Sequence, residues 1–434
     1  MHLEQITLHN LRRFGQLTVE LHPRLTVLAG VNGAGKSSLL EGLTIAVGGW
    51  LLGFDDVMAP SIHPDQVRVV QHEAHGQVTI EPQYPVEVSA RGWLGESIEW
   101  SRSLSARKGR TTYGQASAIK ERAESAQRAV KAGEAVDLPV LACYGAGRLW
   151  VQKNASEKKS AQLGSRTLAY VDCMEPASNQ KLFEAWMRRM EGARIQQIAE
   201  HAARGGLPAD VIRPPVLDAV ERAAAAMVPD AERLYFDVAH DELRLLYADG
   251  RRLPFRMLSD GYRNLIATVA DIAWRAVQLN PHQGAAAIER ARGVVLIDEV
   301  ELHLHPSWQR VVLERLARAF PGLQFVVTTH APVVIASTPP ESLRFLDGAG
   351  GVHRVDVARG LTANVVLREL MGVPERPDRE ARQLAELGAL IEAGEVEKAR
   401  DVFDALNAQF GGIDPDLAVL EWELRDLEVN GEMD

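Results

Sequence analysis

Residues Gly30–Ser37 read Gly-Val-Asn-Gly-Ala-Gly-Lys-Ser, the pattern G-x-x-x-x-G-K-S, and no other stretch restricts the chain's folding options as tightly. The pattern carries meaning only where a buried strand delivers it and a helix leaves it. Leu25–Ala29 is a short, β-branched, apolar run fit for that strand, and Ser38–Val47 has apolar residues at helical spacing. The glycines open torsions that a side chain forbids, so the backbone can wrap an anion. The N–H groups of Asn32, Gly33, Gly35, Lys36, Ser37 and Ser38 would then face phosphates at a helix N-terminus. Lys36 would reach the β- and γ-phosphates, and the Ser37 hydroxyl would ligate Mg²⁺. A nucleoside triphosphate with Mg²⁺ is the expected ligand.

Around that loop, 434 residues suffice for one large core or for two lobes with an appendage. Hydrophobic residues make up 46% and charged residues 24%, the balance of a soluble globular chain. A net charge of −10 argues against a generally basic, nucleic-acid-coating surface and leaves room for a local basic face. Cys143 and Cys173 are the only cysteines and lie in apolar segments; buried free thiols in a reducing cytoplasm fit them. No leader pattern opens the chain, and no apolar run nears the roughly 20 residues needed to cross a bilayer. The expectation is a cytoplasmic protein without a membrane partner.

Leu3–Leu8, Gln16–Leu21 and Leu25–Ala29 read as strands joined by tight turns, with two cations and an aromatic in Asn10–Phe14 between the first two. Val67–Gln71, Gly76–Glu81, Val86–Ala90 and Ile98–Leu104 suggest an antiparallel sheet, and Gly114–Glu134 a helix. Leu138–Tyr144 is a core strand, followed over Gln152–Arg166 by a polar stretch with Lys153, Lys158, Lys159 and Arg166. That stretch reads as a mobile loop open to nucleic-acid contact. Gln180–His201 and Val216–Met227 are helical, and Leu234–Val238 with Glu242–Tyr247 forms a hairpin. Ser307–Ala319, Asp378–Ala393, Val396–Gln409 and Pro415–Asn430 are the later helices.

Three further motifs carry chemistry. Val294–Glu299 is an apolar strand ending in two carboxylates: Asp298 would hold the metal and Glu299 would polarise the attacking water. Leu258-Ser259-Asp260-Gly261-Tyr262 opens an apolar-spaced helix, so Ser259 and Gly261 offer a hydroxyl, N–H groups and the positive dipole end to an anion. Phe325–His330 is a second buried strand that ends in a histidine, which would stand beside the acidic strand in one parallel sheet and bond the γ-phosphate or the attacking water.

In this order the four motifs resemble the ABC-type ATPase superfamily. Asp260 in place of a second signature glycine, and Glu301-Leu302-His303-Leu304-His305-Pro306 after the acidic pair, are similar to the SMC, RecF and OLD-like branch. Asn10-Leu11-Arg12-Arg13-Phe14 resembles a motif near the start of those proteins and implies that Arg12 is nucleotide-proximal. Tyr144–Arg148, Tyr170–Cys173 and the helical tail are similar to stand-alone anti-phage ATPases such as the Septu ATPase subunit.

The resemblance implies an α/β head, with a mixed sheet flanked by helices, an antiparallel β subdomain, a short helical insert and a helical tail. The lobes would span 1–175 and 233–373, the insert 176–232 and the tail 374–434. ATP and Mg²⁺ would be sandwiched in a homodimer, with Lys36, Ser37, Asp298, Glu299 and His330 of one copy facing Ser259 and Gly261 of the other. Slow hydrolysis would regulate a protein effector, a nuclease encoded nearby, in defence against foreign DNA. The rival is a RecF-type DNA repair or recombination ATPase that acts directly on DNA; DNA or RNA is the nucleic-acid partner left open. A Toprim nuclease is not expected, because only about a hundred residues follow His330 and they offer no convincing acidic D-x-D cluster. Gln152 is the candidate for the lobe-linking glutamine.

Overall fold

A computed structural model describes residues 1–74, 77–147, 165–175, 180–204 and 214–431. Gln152, Lys153, Lys158 and Lys159 lie outside the described residues. The chain divides into two compact units, Met1–Thr362 and Ala363–Asp434.

The first unit is built on a six-stranded sheet in the order Val352–Arg354, Leu343–Leu346, Leu25–Ala29, Leu323–Thr329, Gly293–Ile297, Val140–Tyr144. All neighbours run parallel except the first pair. Strands covered on both faces need continuous apolar runs. Leu323–Thr329 and Gly293–Ile297 are buried at every position.

A four-stranded antiparallel sheet, in the order Phe14–Glu20, His2–Leu11, Val86–Trp93, Ser97–Leu104, forms a second layer. The helix Lys36–Val47 packs against strands of both sheets. The approach is close: a Cβ on Gly42 would stand 2.5 Å from the Leu8 side chain. Of the three N-terminal strands expected as one turn-linked set, only the first two pair with each other; Leu25–Ala29 crosses into the parallel sheet. Val69–Ala74 and Gln77–Pro82 form a separate hairpin instead of joining the antiparallel layer.

Ala231–Asp237 and Glu242–Tyr247 pair as expected and gain a third strand, Arg252–Pro254. Three residues are too few to show a period, which is why the sequence hid it. The expected helix Ser307–Ala319 is two, Pro306–Gln309 and Val312–Ala319, with Arg310 and Val311 between them. Arg166, read as the end of a mobile polar loop, donates to the carbonyls of Leu279, Glu134 and Val136. It closes a structural seam.

The second unit packs the helices Asp378–Glu392, Val396–Phe410 and Pro415–Gly431 around Leu387, Ile391, Phe403, Leu406, Leu417 and Leu424. It also takes in a helical turn over 363–370. Ile413, Val419 and Trp422 remain exposed. Residues 363–434 hold 18 Asp and Glu against 7 Lys and Arg, a net −11, so residues 1–362 hold 40 against 41, a net +1. The acidity of the chain is therefore a property of its C-terminal unit. No helix among the described residues is long and apolar enough to cross a membrane.

Candidate nucleotide site

Three adjacent parallel strands, Leu25–Ala29, Leu323–Thr329 and Gly293–Ile297, deliver the phosphate loop, His330 and Asp298 at their carboxyl ends. That edge is where open α/β sheets bind ligands. Gly33 (φ 77°) and Gly35 (φ 101°) hold the loop in left-handed torsions. At Gly35 a Cβ would also lie 2.5 Å from the Phe14 ring, so both sterics and torsion demand glycine.

Lys36 is buried, and its ammonium donates to the loop carbonyls of Gly30 (2.8 Å) and Val31 (3.1 Å). Burial lowers its pKa, and the carboxylates of Glu301, Glu299 and Asp298 oppose that shift. An ammonium satisfied only by its own loop's carbonyls can turn to a phosphate without breaking an ion pair. The Ser37 hydroxyl lies 3.3 Å from Asp298 Oδ1. A hydroxyl and a carboxylate meeting beside the loop form the hard-oxygen pair that suits Mg²⁺. No group of three or more His, Cys, Asp or Glu among the described residues is arranged to hold a metal. ATP with Mg²⁺ fits these residues.

Thr328 is the hub of the acidic half. Its hydroxyl donates to Asp298 Oδ1 at 2.6 Å and accepts the Glu299 N–H at 2.8 Å. The Asp298 N–H donates to the carbonyl of Tyr144 on the next strand at 2.7 Å. Glu299 itself sits at φ 48°, a left-handed torsion costly for a non-glycine and held here by those bonds. The sequence placed Thr328 in the strand that ends at His330 without giving it a role; the parallel register pairs the preceding Val327 with Ile297, which brings Thr328 beside Asp298.

Ser259 is the exposed N-cap of the helix Asp260–Leu279, and its side chain makes no capping bond. Gly261 has a specific reason to be glycine, since a Cβ would stand 2.3 Å from the carbonyl oxygen of His303. His303 adopts φ 61° in the Glu301–Pro306 loop. Trp308 Nε1 donates to the Tyr262 hydroxyl at 3.0 Å, pinning the same helix start to that loop. Deeper in the helix, Asp271 Oδ2 accepts from the Tyr144 hydroxyl and from Arg275 Nε, both at 2.7 Å. All three residues are buried, which pushes the Tyr144 phenol well up. The signature helix is thereby tied to the strand that supports Asp298.

The two N-terminal cations divide their work. Arg12 is committed to Glu41 (2.8 Å) and Asp65 (3.4 Å), and the Glu41 contact raises its pKa. Glu41 lies one helical turn beyond Ser37, so Arg12 braces the phosphate-loop helix. Arg13, which the sequence left unassigned, donates to the carbonyls of Gly33 and Gly348. Cys143 and Cys173 are buried free thiols, pushed up to about 11 and about 12 by desolvation.

A phosphate loop joined to an acidic strand and a strand-end histidine, with a serine–glycine helix start on the same head, resembles the site of ABC-type ATPases. Family models described as "AAA domain" and "AAA domain, putative AbiEii toxin, Type IV TA system" match residues 5–202 and 204–336. Their junction falls at the end of the helix Gln180–Ala203. The Retron Ec83 probable ATPase of Escherichia coli is 33% identical over 48% of this chain and 39% of its own length. The Septu protein PtuA of Bacillus mycoides (strain KBAB4) is 42% identical over 26% of this chain and 15% of its own. The chain thus spans well under half the length of either relative. Among solved structures, the SMC head domain from Thermotoga maritima aligns over 82% of this chain and 100% of its own, at 15% identity and a TM-score of 0.42.

Proposed function

We propose that the chain binds and slowly hydrolyses ATP between two head-to-head copies, and that this cycle governs a protein effector in anti-phage defence. The observation that carries the proposal is Ser259, exposed at a helix start with no capping bond, which leaves its hydroxyl and the helix N–H groups open to an anion. A phosphate held on another copy's loop is the anion we assign to it. Bound Mg²⁺ would neutralise phosphate charge and strengthen the leaving oxygen's departure.

The chain's own residues supply the rest. Ser37 and Asp298 hold the ion, and Lys36 exchanges two loop carbonyls for phosphate oxygens. The N–H groups of Asn32, Gly33, Gly35 and Ser38 fix the phosphates, and Arg12 keeps the following helix in place through Glu41. Glu299 takes a proton from the attacking water while His330 orients the reacting group. Ser259 and Gly261 of the second copy close the site, so binding joins the copies and hydrolysis releases them. Light scattering tests this: a complex of two copies should form with ATP and fail with Ser259→Arg, whose nucleotide binding should persist. Dimer formation by that variant would overturn the composite site.

The names of the Retron and Septu relatives support a defence role, and a nuclease encoded nearby is the effector we assign. The C-terminal unit, with its net −11 and exposed Ile413, Val419 and Trp422, is the docking surface we assign to it. A pull-down with neighbouring gene products should lose the effector when residues 363–434 are removed. One observation favours the second reading, direct action on DNA or RNA: the unit that carries the nucleotide site is net +1, not acidic. Salt-sensitive binding and DNA-stimulated hydrolysis would select that reading.

A further inference from the structure

Glu301 has no part in the scheme above, yet it is more deeply engaged with the switch than any other side chain named so far. It is 5% exposed. Its Oε1 accepts the N–H of His330 at 2.7 Å and that of Ala331 at 3.1 Å, and lies 3.2 Å from the Nδ1 of the His330 ring. Its Oε2 is buried without a hydrogen-bond partner among the described residues. Oε1 therefore accepts both hydrogen bonds of the carboxylate, and both come from the backbone at His330 and Ala331.

We propose that Glu301 is a positioning residue that fixes both the backbone and the hydrogen placement of His330. An ionised carboxylate offers only lone pairs. The ring nitrogen that faces it at 3.2 Å is therefore the one bearing hydrogen, and Nε2 of the neutral ring keeps its lone pair. A phosphate oxygen is also an acceptor only, so a neutral His330 held this way bonds the attacking water and not the γ-phosphate. The water's two hydrogens then have separate acceptors: Glu299 removes one as the proton, and His330 holds the other. The backbone bonds add a second control. Because Glu301 sits in the loop that contacts Gly261 of the signature, a shift of that loop reaches His330 through two N–H groups and one ring nitrogen.

The catalytic consequence rests on the proposed ATPase cycle; the hydrogen placement does not. The test is therefore nitrogen NMR of the nucleotide-free full chain with labelled histidine, His330 being assigned by subtraction of His330→Gln. His330 should show its hydrogen on Nδ1. Glu301→Gln, which retains an acceptor oxygen, should preserve that signature, and Glu301→Ala should move the hydrogen to Nε2. Turnover should fall by about 10–100-fold in Glu301→Ala, the scale for losing a group that orients an imidazole ligand, and recover largely in Glu301→Gln. A wild-type His330 with its hydrogen on Nε2 overturns the proposal even if no variant folds. An unchanged signature in Glu301→Ala does so as well. A correct signature without hydrolysis would count against the ATPase cycle alone.

Discussion

On the phosphate-loop side, Ser37, Asp298, Thr328 and Glu299 are already joined by contacts of 2.6 to 3.3 Å. On the signature side, Gly261 and Tyr262 are fixed against their own loop, but Ser259 stands exposed with no capping bond. The first half is preorganised and the second is positioned without being engaged. Preorganised donors and acceptors need no rearrangement when charge develops. On the proposed reading, a placed but unengaged serine would let assembly with a second copy decide when the site is complete, and the contrast would separate binding from turnover within one fold.

The largest effect that can break this contrast is at Lys36. Lys36→Ala should weaken ATP binding at least about 100-fold, since a buried cation at the phosphates is lost; undiminished binding by calorimetry would remove the phosphate loop from the site. Glu299→Gln should slow turnover roughly 10²–10⁴-fold, the scale of a general base, and leave binding intact. Parental turnover in that variant would exclude Glu299 from proton removal. Gly261→Ala sharpens the comparison from the other side. Its new methyl meets the His303 carbonyl, so turnover should drop about tenfold or more while the Kd for ATP stays put, with a stability loss of about 1–3 kcal/mol. A smaller change is expected from Thr328→Val, which keeps the shape but removes the hub hydroxyl and costs about 1–3 kcal/mol in a denaturant melt. Last, Cys143 and Cys173, pushed up to about 11 and 12, should both resist alkylation at pH 8 until the chain unfolds. Rapid labelling of native protein would show that the preorganised half opens on its own.

The features legible in the sequence were those whose physics is local. A strand, a glycine turn and a helix are contiguous, so Gly30–Ser37 carried its own context. The buried strands that end at Asp298 and His330 announce themselves by apolar runs, and the long C-terminal helices by their period. What escaped depends on residues far apart in the chain. Thr328 matters because the parallel register sets it beside Asp298, and Glu301 because its carboxylate meets the switch backbone. Arg13 matters because Gly33 and Gly348 converge on it. Arg166 reads locally as the end of a mobile polar loop, yet three carbonyls more than 25 residues away claim it. Overall charge says little for the same reason, since a sum over the chain hides where the charges are.

That uneven charge has a practical corollary at the bench. A single protease cut between Thr362 and Ala363 would yield a near-neutral fragment and a 72-residue fragment of net −11. On an anion-exchange column near pH 7 the acidic fragment should be retained far longer than the larger one. If the two co-elute after such a cut, they are held together by more than the peptide bond, and the salt needed to part them measures how strongly.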